Sequence, residues 1–325
     1  MYDSDTPISY QGHLYCMTCV QTFRISLFCL FLMVTTILSG VVVADDLTVH
    51  FIDVGEGDAI FIEQGNATML VDAGPVNAAE YLLSYLESLG IEKINTILTT
   101  HPDPAHIGGM PSVLNRFSAD RYLDNGEEDG NGAHAALIQA VTVAGVPYEK
   151  VLSGSEIPFS EDITIDVLSP VRVSGDLNHD SLVLKFAYGN TTFLLMGGAD
   201  KEAEQQILRN ERGDITILTI SDHGDAAATS EEFIQEMNPD VAVIMVGKGN
   251  PYGHPALETL RTLNDAGVHQ IYQTMNDGTI IITSNGIDYF VTKKPILSTG
   301  IDGTDAADQT SASKTAKILF QASGT

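Results

Sequence analysis

The chain has 325 residues, 44% of them apolar and 18% charged, a composition able to bury one large core or two modest ones. A formal net charge of −27, with no cluster of Lys and Arg anywhere, argues against a surface that binds nucleic-acid phosphates. The three cysteines, Cys16, Cys19 and Cys29, all precede Asp45, which excludes thiol catalysis, disulfides and cysteine-type zinc sites from the rest of the chain.

The first element in chain order is the uncharged stretch 25–44, preceded by Arg24 and ending in the small residues Val42 and Ala44. It reads as a secretory signal, or as an uncleaved anchor long enough to span a bilayer. Met17 is an alternative start that would give a shorter basic region. Either reading places the body outside the cytoplasm and limits membrane contact to residues 25–44.

The body follows from Asp45. Alternating or continuous apolar runs predict strands over 47–53, 59–63, 68–72 and 94–100, with a helix over 78–89 that stops at Gly90. A second helix is expected over 133–144, closed by Gly145, then strands over 163–168, 182–188 and 192–196 and a helix over 199–208. Strands over 215–220 and 241–246 enclose a helix over 230–237. A helix over 256–266 and strands over 271–273, 279–283 and 289–292 complete the body. Two β-rich halves, each interleaved with helices, suit an α+β fold of two packed sheets covered outside by helices, an αβ/βα four-layer sandwich. The domain is expected over 45–294. From Pro295 the sequence turns rich in Ser, Thr, Ala and Gly and reads as a mobile tail over 295–325.

The strongest chemical signal is His101-Pro-Asp103-Pro-Ala105-His106-Ile-Gly-Gly109, directly after a predicted strand. Two His and one Asp in so short a loop point into one small volume, and neutral imidazole with carboxylate is a ligand set for zinc or manganese. Gly108 and Gly109 allow a tight turn into a following helix.

This segment resembles the H-x-D-x-D-H-x-G-G signature of the metallo-β-lactamase fold, in the form found in the ComEC competence family. Further motifs resemble that family in the same order: Asp53-Val-Gly-Glu-Gly-Asp58-Ala, Leu70-Val-Asp72-Ala-Gly74, Asn178-His179-Asp-Ser181-Leu-Val-Leu, Asn250-Pro-Tyr-Gly-His254-Pro and Asp277-Gly278-Thr279-Ile. The resemblance runs from about Leu47 to Val291 and implies a two-metal edge site in which metal-activated water attacks an ester, often a phosphodiester.

The chain departs from the family pattern at three ligand positions. Ala105 stands for the second Asp of the signature, Gly197-Gly198 for a Gly-Asp that carries the bridging carboxylate, and Asp222-His223-Gly224 for His-His-Gly. Two unit charges 4 Å apart repel by about 4 kcal/mol at an effective dielectric of 20, so two dications repel by roughly 16 kcal/mol. Without carboxylates at 105 and 198 a tight pair of ions is not expected, and one zinc or manganese ion is. Its expected ligands are His101, Asp103 and His106, supplemented by Asp222, His223 or His179. Asp72 is expected to orient a ligand from behind, and His179 and His254 to lie near the substrate. Asp53 and Asp58 are expected to be architectural. The resulting expectation is an extracytoplasmic hydrolase of small-molecule esters or phosphodiesters with weak or lost turnover. The alternative is a catalytically inactive binding module on the same fold.

Overall fold

Apolar residues that alternate along a strand send successive side chains to opposite faces. In this protein that alternation builds four layers. The computed structural model describes residues 45–127, 132–294 and 309–312. The cysteines and the expected signal or anchor over 25–44 lie outside the described residues. Among the described residues no helix is long and apolar enough to cross a membrane.

The first half of the chain forms β1 (Leu47–Phe51), β2 (Ile60–Gln64), β3 (Ala67–Val71), α1 (Ala79–Ser88), β4 (Lys93–Leu98), α2 (Pro104–Ile107), α3 (Met110–Arg116), β5 (Ser118–Asp124), α4 (Ala133–Ala144) and β6 (Tyr148–Lys150). The second half contributes β7 (Glu156–Pro158), β8 (Thr164–Ser169), β9 (Val183–Tyr188), β10 (Thr191–Leu195), α5 (Lys201–Ile207), β11 (Ile217–Thr219), α6 (Glu231–Met237), β12 (Val241–Ile244), α7 (Leu257–Asp265), β13 (Gln270–Gln273) and α8 (Thr274–Asp277). The chain then returns through β14 (Thr279–Ser284) and β15 (Tyr289–Lys294) to the first sheet. Of the tail expected from Pro295 onward, the described part is a strand, β16 (Gln309–Ala312), which pairs antiparallel with β15.

One sheet has the strand order β16-β15-β14-β1-β2-β3-β4-β5-β6, the other β13-β12-β11-β10-β9-β8-β7. Their inner faces share one core. Val49, Ile62 and Met69 of the first sheet join Leu184, Phe193 and Val243 of the second, and Phe186 stacks on Phe193 at 4.8 Å. The alternate residues face outward. Phe61, Leu70 and Ile97 meet Leu82 and Leu86 of α1 and Leu137 of α4. Leu194, Leu218 and Ala242 meet Ile207 of α5, Phe233 of α6 and Leu263 of α7. Full burial of such side chains contributes roughly 1.5–3 kcal/mol each, which is what holds helices of only seven to twelve residues in place.

Topology sets where chemistry can occur. β3, β4 and β5 run parallel in the first sheet, and β10, β11, β12 and β13 run parallel in the second. Ligand sites in α/β sheets gather at the carboxyl ends of such strands. The segments leaving β3, β4, β10 and β11 carry Asp72, His101, Gly198 and Asp222-His223.

The outer helical layer of the second sheet holds a buried acid. Glu204 on α5 is 1% exposed, and its carboxyl accepts the Ser230 N–H at 3.0 Å, where Ser230 caps α6 through its own side chain. Burial pushes this carboxyl up to about 8 from an ordinary value of 4.5, against the bonds from Ser230. A carboxyl whose proton affinity rises on folding stabilises the protein fully below about pH 4.5 and loses that contribution as pH climbs through about 8. Urea unfolding at pH 5 and pH 8.5 should therefore show stability falling with pH, and Glu204→Gln should reduce that fall by on the order of a few kcal/mol. An unchanged pH slope in the variant would remove Glu204 as its source.

Candidate metal centre and its cleft

Asp72 ends β3 with a left-handed backbone, φ 58°. Its carboxylate accepts the Thr100 N–H at 2.8 Å and the Thr100 hydroxyl at 2.7 Å, and His106 Nδ1 lies 2.8 Å from Oδ2. The carboxylate thus receives the Nδ1 proton of His106 and leaves Nε2 as the free donor atom, the arrangement by which a carboxylate fixes a metal-binding imidazole. Burial works against a charge on His106, but Asp72 and Asp58 outweigh it and push the ring up to about 9.

His106 sits on the single turn α2. Asp103 caps that turn, accepting the Ala105 N–H at 2.7 Å, and Pro104 occupies its first position. The loop before β2 packs directly onto it. Asp58 N–H donates to the Ala105 carbonyl at 3.3 Å, and a side chain at Gly57 would overlap that same carbonyl. Only glycine permits this approach, and it brings the Asp58 carboxylate into the site.

His223 arrives from the other sheet. Asp222 and His223 both have positive φ, 47° and 54°, in a short 3-10 turn after β11. Consecutive left-handed residues other than glycine are strained by about 1–3 kcal/mol each and persist only where surrounding contacts hold them. His223 Nδ1 lies 2.9 Å from the Met245 carbonyl and 3.2 Å from Asp58 Oδ1. Burial disfavours its charged form, but the hydrogen bond and charge of Asp58 raise its proton affinity overall.

Asp58, His106 and His223 each offer a ligand atom within 4.8 Å of the others, and all three are buried. Two imidazoles and a carboxylate suit a divalent ion of borderline hardness. Asp58, expected to be architectural, lies beside both rings, with Oδ1 3.2 Å from His223 Nδ1. Of the residues expected as ligands, His106 and His223 belong to this donor set, whereas His101, Asp103 and Asp222 line the cleft around it.

His101 is buried, with its ring 4.2 Å from that of His106. Burial, then the neighbouring rings of His106 and His223, hold its proton affinity well below the ordinary range. Its Nδ1 lies 3.1 Å from the Thr100 hydroxyl and 3.4 Å from that of Ser181. A Cβ at Gly198 would meet His101 Cε1 at 2.7 Å, Nε2 at 3.0 Å and Asn178 Oδ1 at 3.2 Å. Position 198 therefore faces the His101 ring, whose tip would have to shift to admit a side chain there. Ala105 lies on the cleft wall with no polar side-chain atom.

Asp222 Oδ2 accepts the Asn178 amide at 3.1 Å, and burial raises the proton affinity of its carboxyl. His254 stands between two carboxylates, Nδ1 3.0 Å from Glu56 and Nε2 3.1 Å from Asp225. Its loop is folded by Asn250, whose Oδ1 accepts the N–H groups of Tyr252, Gly253 and His254. His179 is not brought to the cleft. It points to α5, with Nδ1 3.2 Å from Asp200 and Nε2 2.9 Å from the Gln206 amide.

The residues above open into a cleft of about 1080 Å³. A family model described as "Metallo-beta-lactamase superfamily" matches residues 52–248, a span holding all three members of the donor set. Among curated proteins, ComE operon protein 3 of Bacillus subtilis (strain 168) is 29% identical over 254 residues, covering 71% of this chain and 32% of that protein. Competence protein ComA of Neisseria gonorrhoeae is 26% identical over 206 residues, covering 62% of this chain and 27% of that protein. Recombination protein 2 of Haemophilus influenzae is 26% identical over 223 residues, covering 66% and 26% respectively. The chain thus spans about a third or less of the length of these relatives. Among solved structures, the metallo-beta-lactamase fold protein YhfI from Bacillus subtilis matches with a TM-score of 0.52 at 11% identity, over 74% of this chain and 100% of that one, a likeness of fold alone. A fold that implies divalent-metal binding, a buried donor set and a family match over most of the body agree: the chain belongs to the metallo-beta-lactamase superfamily, with likeness to the ComEC competence proteins.

Proposed function

We propose that this chain is an extracytoplasmic, metal-dependent hydrolase that holds a single zinc or manganese ion and cleaves an ester with much reduced turnover. One observation carries the reading. Asp58, His106 and His223 converge within 4.8 Å, while positions 105 and 198 present no side-chain donor for a second ion. The extracytoplasmic placement is supported by the basic-apolar-small pattern of residues 24–44.

A divalent ion in such a site supplies Lewis acidity and an activated water. The protein's own residues prepare for it. Asp72 holds His106 with Nε2 free, Met245 and Asp58 hold His223 through Nδ1, and Asn178 fixes the Asp222 carboxylate along the cleft. His101, kept neutral by burial, adds a hydrogen-bonding ring without adding charge. With Asp58 the only carboxylate in the donor set, a second dication would face a repulsion of roughly 16 kcal/mol, and positions 105 and 198 supply no carboxylate between the two ions to offset it. The alternative, an inactive binding module, is supported by Ala105 and Gly198, which offer no carboxylate to bridge two ions.

Elemental analysis of the purified, dialysed chain should find one divalent ion per molecule. His106→Ala and His223→Ala should each lower that content to less than about a tenth, as loss of one of three protein donors removes tight binding. No ion, or two, would overturn the assignment. Asp72→Asn should leave the ligands in place but weaken metal binding by about 10–100-fold in chelator competition, because Asn no longer fixes the His106 tautomer. Unchanged affinity would make Asp72 purely structural. Ala105→Asp, Gly198→Asp and Asp222→His combined should raise metal content toward two ions and raise hydrolysis of a chromogenic ester, provided the His101 ring yields to the new side chain at 198. A triple variant that folds yet still holds one ion would show that charge at 105 and 198 is not the missing element.

A further inference from the structure

The cleft carries information about its ligand that the metal ligands do not. Four carboxylates line it, those of Glu56, Asp103, Asp222 and Asp225. Among the described residues no Lys or Arg side chain lines it. Lys201, whose charge acts on Asp225, donates to the Ala226 carbonyl at 2.8 Å and is not part of the lining. Asp58 and Asp72 stand behind the lining, against His223 and His106, so the carboxyl groups in and behind the cleft outnumber the two positive charges of one ion. Polyanion sites are built the opposite way, with Arg and Lys clamps or exposed backbone N–H groups.

The rest of the lining mixes histidine rings and the amides of Asn77 and Asn178 with an apolar wall that includes Val54, Pro75, Val76, Pro111 and Pro251. Two large side chains at its mouth are left to solvent: Val76 is 72% exposed and Tyr252 is 70% exposed. Tyr252 is nevertheless held. Its backbone N–H is bound by Asn250, and its ring stacks on His254 at 5.5 Å and 22°. His254 is in turn fixed between Glu56 and Asp225. A rigid aromatic face beside carboxylates is a platform for flat apolar groups and for cations.

We propose that the cleft takes a neutral or cationic ester carrying an apolar ring that stacks on Tyr252, and not a phosphodiester or other polyanion. The word ester rests on the hydrolase reading above, whereas charge and shape rest on the cleft alone.

The test uses the whole purified chain and two ring compounds that it cannot hydrolyse, benzyltrimethylammonium and benzenesulfonate, titrated calorimetrically at low salt. The cation should bind about tenfold more tightly than the anion or better, and the gap should shrink at high salt. Tyr252→Ala, a change at an exposed side chain, should weaken the cation about threefold. Asp225→Asn should narrow the gap between the two compounds. In a parallel arm, p-nitrophenyl butyrate should be turned over with a higher kcat/KM than bis(p-nitrophenyl) phosphate. Equal or tighter binding of benzenesulfonate, or no effect of Tyr252→Ala, would overturn the proposal. Preference for the phosphate ester would also overturn it while leaving the hydrolase reading standing. A chain without metal or turnover that still selects the cation would end the hydrolase reading and keep the charge and shape of the ligand as assigned.

Discussion

The carboxylate of Asp72 is the tie on which the site depends. It is buried, takes two hydrogen bonds from Thr100 and one from His106, and so binds the end of β3 to the end of β4 and to α2. Backbone bonds run in parallel with it: Asp72 N–H to the Leu98 carbonyl, Ala73 N–H to the His106 carbonyl and Gly109 N–H to the Gly74 carbonyl. A left-handed aspartate costs about 1–3 kcal/mol, and these contacts offset that cost. Hydrogen bonds to a charged acceptor contribute about 1.5–3 kcal/mol each, and leaving that acceptor buried without them would cost more. The His106 ring is therefore oriented by the fold and does not need an ion to find its place.

Charge decides what that orientation serves. Within the donor set, two rings whose proton affinity carboxylates raise face one carboxylate, Asp58. A divalent ion replaces proton charge there at little electrostatic cost. A second ion would need the negative charge that Ala105 and Gly198 do not carry. The His101 ring, whose proton affinity burial lowers, lies against Gly198, and neither adds negative charge to the site.

Much of this was legible in the sequence. The period-two strands and the loop from His101 to His106 lie where their residue patterns place them, and the four-layer order follows from their alternation with helices. β5 was not legible because its first half, Ser118-Ala-Asp-Arg, is polar and partly exposed. It is a strand because it pairs in parallel with β4 and because Arg121 reaches Thr96 across the ladder at 2.9 Å. The short strands β6 and β7 and the single turn α8 are too brief for any periodicity to show. The approach of Asp58 to His223 was not legible because it needs a loop after β1 to meet a turn after β11, a contact between sheets that no local pattern encodes. His179 drew attention through its place beside Ser181, but Asn178 takes the cleft-facing position and His179 turns to the Asp200 carboxylate that caps α5.

The same backbone economy explains how ligand positions can change without loss of the fold. The turn that presents His223 is fixed by Asp222 N–H to the Gly197 carbonyl and Gly224 N–H to the Ser221 carbonyl, and Gly198 is fixed by its own N–H to the Ser181 hydroxyl at 3.0 Å. None of these bonds involves a side chain at 105, 198 or 222. Carboxylates at 105 and 198 would supply charge to an ion, and none of these bonds depends on them. The architecture persists through sheet pairing and three buried cores, while the chemistry rests on a few side chains that the architecture does not require. The strand ends fix where Asp58, His106 and His223 gather, and the acidic, ring-faced cleft around them is the surface that a ligand of this site would meet.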